Sequence, residues 1–141
     1  MSLLSEIRAL PPEVLASRDT VQITSALNQG RTALGLVSCA AMSAWAAANG
    51  VRAKVEDNAT NPLSPVRSIA LAIRDDLTGM SEVGFDFSNP LKVQMLSALV
   101  SAGVLTSTQK DEILEMATHP APVDEFTVRQ ACWADDGTWS V

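Results

Sequence analysis

Two cap-then-proline pairs, Ser64-Pro65 and Asn89-Pro90, and a scatter of single glycines cut this chain into short pieces. A side-chain oxygen followed by proline marks a helix start, because the missing proline N–H would have no partner there and its fixed φ suits the first turn. A glycine after an apolar run marks a stop, since it takes the left-handed turn at little cost. Between these marks apolar residues recur at three- and four-residue steps. A chain punctuated this way is expected to build short helices packed on one another. Composition points the same way. Of 141 residues 47% are hydrophobic but only 4% aromatic, and an Ala- and Leu-rich chain favours close helix packing over a sheet sandwich.

Ser2–Leu10 carries Leu3, Leu4, Ile7 and Leu10 on one stripe and stops at Pro11-Pro12. Pro12 opens a short turn to Ser17. Asp19 reads as the N-cap of Thr20–Asn28, whose stripe is Val21, Ile23, Ala26 and Leu27. Arg31–Val37 reads as an extended or irregular link. Ser38 caps Cys39–Asn49, with Ala41, Ala44, Trp45 and Ala48 as its apolar face, and Val51–Ala59 follows on Val51 and Val55. The loop Asn58–Ser64 leads to Pro65–Thr78, which shows Val66, Ile69, Ala70, Ile73 and Leu77 and ends at Gly79. Met80–Phe87 is expected to be a link. A strand there has no obvious partner, so Phe85 and Phe87 are read as core plugs. Pro90–Ala102 carries Leu91, Val93, Met95, Leu96, Leu99 and Val100. Thr106-Ser107-Thr108-Gln109 is a capping box for Ser107–Ala117. After the break at His119-Pro120-Ala121-Pro122, Asp124–Cys132 is the last helix, with Phe126, Val128 and Ala131 inward. The expectation is an all-α fold: one domain over 1–141, a compact bundle of six to eight short helices with an irregular C-terminal tail.

The net charge of −6 is unevenly placed. Residues 1–60 are near neutral, and the excess of carboxylates lies in 61–141. Phosphate binding needs clustered Lys and Arg, and no such cluster exists. Met95–Met116 reads helix, turn, helix, but its second helix sets Lys110 against Asp111, Glu112 and Glu115, so nucleic acid is not an expected partner. Cys39 and Cys132 have small or apolar neighbours and read as buried free thiols. Met1-Ser2-Leu3-Leu4 lacks the basic start of a signal peptide, and no stretch is apolar enough to cross a membrane.

Little in the sequence could break bonds. His119 is the sole imidazole, set in a loop, and no Gly-x-Ser-x-Gly elbow accompanies it. The doublets Glu56-Asp57, Asp75-Asp76, Asp111-Glu112 and Asp124-Glu125 fall on helix surfaces, where neighbours point about 100° apart. Asp135-Asp136-Gly137 reads as a turn and not a calcium loop, because ligands at alternate positions are missing. No enzyme activity, cofactor or metal is expected. The residues singled out are Trp133, Asp135, Asp136 and Trp139, a candidate protein interface. The other reading of the two rings is that the tail folds back and they cap the core.

Leu10-Pro11-Pro12-Glu13-Val14-Leu15-Ala16-Ser17-Arg18-Asp19-Thr20, followed by Leu27-Asn28-Gln29-Gly30-Arg31-Thr32, resembles the opening of small helical proteins encoded in tailed-bacteriophage genomes near virion structural genes. The resemblance continues in Leu96–Thr106 and in Pro120-Ala121-Pro122-Val123, and covers about half the chain in patches; Leu34–Asn61 departs from it. It implies a non-enzymatic bacteriophage protein acting through contacts with other protein chains, as a minor virion or tail-associated component. The alternative is an accessory protein that binds and inhibits a host protein. Either role places it in the virion or the host cytoplasm, with self-association left open.

Overall fold

The computed structural model describes residues 2–78 and 84–141. They are mostly helical, with nine α-helices and four short strands. The contacts divide the chain into two units. One is split in sequence, holding residues 1–33 and 120–141; the other is inserted within it, Leu34–His119. The strands group in pairs, β1 (Thr32–Leu34) with β4 (Thr118–Pro120) and β2 (Leu36–Val37) with β3 (Phe85–Asp86).

The split unit contains α1 (Leu3–Arg8), α2 (Pro12–Ala16), α3 (Thr20–Asn28) and α9 (Glu125–Cys132). Asp19 caps α3 by accepting from the Val21 N–H, and Asp124 caps α9 by accepting from that of Thr127. The core is Ile7, Ile23, Leu27, Val128 and Cys132. The expected inner faces of α3 and α9 need correction: Val21 is 59% exposed and Phe126 68%. Each lies two residues from a buried partner, Ile23 or Val128, and two residues along a helix turn the side chain about 200° away.

The inserted unit contains α4 (Cys39–Ala48), α5 (Val51–Thr60), α6 (Arg67–Leu77), α7 (Pro90–Ser101) and α8 (Ser107–Ala117). Asn89 caps α7 with Pro90 at its first position. Gly103, at φ 77°, closes it: its N–H donates to Val100 O and that of Val104 to Leu99 O, the paired bonds of a Schellman turn. Thr106 and Gln109 form the expected reciprocal box at the start of α8. Helix α6 starts at Arg67, two residues later than the Ser64-Pro65 signal places it, although the Ser64 hydroxyl oxygen still accepts from the Val66 N–H at 3.3 Å.

Met42 and Ala46 are the buried positions of α4, in place of Ala41, Ala44 and Ala48; a helix built largely of Ala is apolar all round and shows no face to read. Leu91, at the exposed start of α7, is outside the core. Phe85–Asp86 does find a strand partner: it pairs antiparallel with β2, Leu36 opposite Asp86 and Val37 opposite Phe85. The core-plug reading of Phe85 and Phe87 does hold, since both rings are buried and stack with centroids 6.3 Å apart. The expected stop at Gly79 and the link through Met80–Val83 lie outside the described residues.

Candidate functional site

In the split unit the chain turns back on itself after α9. Gly137 takes φ 81° at the turn. The Ala134 N–H donates to Thr138 O and the Ser140 N–H to Cys132 O, both at 2.8 Å, so Trp133 and Trp139 face each other across an antiparallel bridge. Asp136 accepts from the Thr138 hydroxyl at 2.6 Å and its N–H at 3.0 Å, which holds the Asp136 carboxyl below its ordinary range. The expected irregular tail is thus a small hairpin.

This hairpin brings together the four residues singled out from the sequence. The two indoles meet edge to face, centroids 5.0 Å apart at 71°. The Arg18 guanidinium lies 5.7 Å from the Trp139 ring centre, with Arg18 at φ 49°, a left-handed backbone uncommon for a side chain of its kind. The Arg8 guanidinium donates to Ser140 O at 3.1 Å. Both rings pack on the five-residue core and both stay half-buried, while Asp135 and Asp136 are exposed. The indoles therefore cap the core with one part of their surface and offer the rest to solvent. Phe126 and Val21 add exposed apolar surface that the sequence reading had turned inward.

No protein-family model, curated protein or solved structure matches this chain.

Several other chemistry-bearing residues are engaged in structure. Glu112 accepts from the Trp45 indole N–H at 3.1 Å, Asp76 pairs with Lys92 at 3.6 Å, and Glu56 pairs with Arg74 at 3.5 Å. Glu125 accepts from the Thr20 hydroxyl at 3.0 Å. Cys132 is wholly buried, and burial pushes its thiol pKa up, away from the reactive thiolate. Cys39, expected to be buried, is half-buried at the start of α4. His119 follows α8 and is exposed, and its imidazole lies where a side chain on buried Gly35 would have to go. Gly35 also donates its N–H to Ala117 O at 2.8 Å and accepts from the Phe87 N–H at 3.1 Å. A glycine amid apolar residues is the signal that marks such a close approach. Among the described residues no group of three His, Cys, Asp or Glu could hold a metal ion, and no helix is long and apolar enough to cross a membrane.

Proposed function

We propose that this protein is non-enzymatic and works by binding other protein chains, as a bacteriophage product that is a minor virion or tail-associated component. The observation that carries the binding role is the half-buried pair Trp133 and Trp139 on a hairpin tied down at both ends. Rigid indoles lose little freedom on binding, and Trp is a common anchor of protein interfaces. Phe126 and Val21 on the same unit are also exposed apolar side chains available to a partner. The phage attribution rests on the sequence resemblance, and the absence of catalysis on the want of any base beside a nucleophile in the sequence.

The test is incorporation into particles made from the source genome, followed by mass spectrometry at moderate and high salt. The chain is expected in washed particles at a fixed ratio to the major virion protein. Trp139→Ala should lower that ratio several-fold while the variant keeps its fold by circular dichroism. A chain absent from particles overturns the virion role. The exposed Asp135 and Asp136 beside the indoles favour a second reading, a host-protein inhibitor docking on a basic surface. That complex would form in extract and dissolve as salt rises, whereas an apolar assembly contact would persist.

A further inference from the structure

The core of the inserted unit is not full. A cavity of about 40 Å³ lies among Met42, Ala46, Val55, Leu77, Phe87 and Leu99. That is enough space to admit a water-sized sphere. Water held there would need two to four polar partners, and the wall supplies almost none. The polar groups at its edge are directed elsewhere. The Trp45 indole N–H donates to Glu112, and the Lys92 ammonium pairs with Asp76, so each side chain gives the cavity its hydrocarbon portion. Trp45, Lys92 and Met95 are partly exposed, which puts the cavity's edge within reach of solvent. Two of the lining side chains, Met42 and Met95, are thioethers, unbranched and polarizable, that can move to admit a guest.

We infer that this cavity is a binding site for a small uncharged apolar guest, entering between Trp45, Lys92 and Met95. A charged or hydrogen-bonding guest would lose its water and gain no polar partner from the wall. An apolar guest exchanges empty space for contact with polarizable atoms.

Dissolved xenon is the probe, read through the methyl resonances of the methionines in the intact chain. Met42 and Met95 should shift saturably with xenon pressure, and Met116, on the surface of α8 and outside the cavity, should not. Ala46→Val, which fills the space, should abolish the saturable shifts without lowering Tm. Should that variant misfold, Leu99→Ala serves instead: the enlarged cavity should take benzene, with a saturable rise in Tm absent from the parent chain. Formamide, similar in size but polar, should give no saturable response. The inference is overturned by absent shifts, by equal linear shifts of all three methyls, by a saturable shift surviving in folded Ala46→Val, by Leu99→Ala ignoring benzene, or by formamide binding as xenon does.

Discussion

Among the described residues, the inserted unit closes around eighteen buried apolar side chains, with ten more packed partly buried against them. The split unit closes around five, with nine partly buried. The larger unit therefore hides most of its apolar surface, and the smaller leaves most of its own at the rim. The smaller compensates with directional bonds between segments remote in sequence. The Asn28 side-chain amide donates to Val123 O at 2.8 Å, and its carbonyl accepts from the Val123 N–H at 2.9 Å. Arg31 donates to Glu6 at 3.0 Å and to Ala121 O at 2.6 Å. Thr20 reaches Glu125, and Arg8 reaches Ser140. Apolar contact rewards any close fit, whereas a hydrogen bond requires one geometry. A unit with a small core can still hold one structure if polar bonds specify its register.

The most severe test truncates one fully buried residue in each unit. Leu99→Ala and Ile23→Ala should each cost about 2–5 kcal/mol by denaturant unfolding. Hydrogen exchange then separates them: Ile23→Ala should deprotect α1, α3 and α9, and Leu99→Ala the helices α4–α8. Equal loss of protection throughout by both variants would break the comparison, because the chain would then unfold as one block. Next in size is Arg31→Ala, which removes a charged hydrogen-bond pair and a backbone contact at a half-buried site. It should cost about 1–3 kcal/mol, confined to the split unit; a change near zero would mean polar bonds do not specify that unit. Matched cap removals come third. Thr106→Ala should cost about 0.5–2 kcal/mol, and Asp124→Ala should lower protection in the split unit, where the core it acts on is smaller.

The smallest effect is acid. Hydrogen bonds from Arg31, Thr127 and Thr138 hold the carboxyls of Glu6, Asp124 and Asp136 below their usual range, and Ser88 does the same for Asp86. A carboxyl lowered on folding adds stability above its unfolded pKa, and that stability is lost as the pH falls through the folded value. With three such groups against one among the described residues, the split unit should lose protection first as the pH drops below about 4. Simultaneous loss in both units, followed by hydrogen exchange across a pH series, would count against this.

Much of the helical framework was legible because its signals are local. A cap oxygen, a proline at the first turn and a glycine in the left-handed turn act within a few residues, so the ends of α3, α7 and α8 follow from the residues at Asp19, Asn89, Gly103 and Thr106. Which face is buried was less legible. Val21, Leu91 and Phe126 are apolar residues on exposed faces, and hydrophobicity alone does not tell them from Ile23, Leu99 and Val128. Pairing between distant segments was not legible. The bond from the Phe87 N–H to Gly35 O joins residues whose local sequences carry no sign of each other. Of the candidate site, the residues were readable from their clustering near the C-terminus. The contacts that Arg8 and Arg18 make with their hairpin were not, since those residues come from a segment remote in sequence.

The split arrangement has a consequence for biosynthesis. As the chain leaves the ribosome, Ile7, Ile23 and Leu27 emerge long before Val128 and Cys132, with all of Leu34–His119 translated in between. The first three helices must wait with their apolar stripes open, while the inserted unit already has everything its own core requires. Translation thus imposes an order of assembly, with the indole-bearing hairpin fastened last.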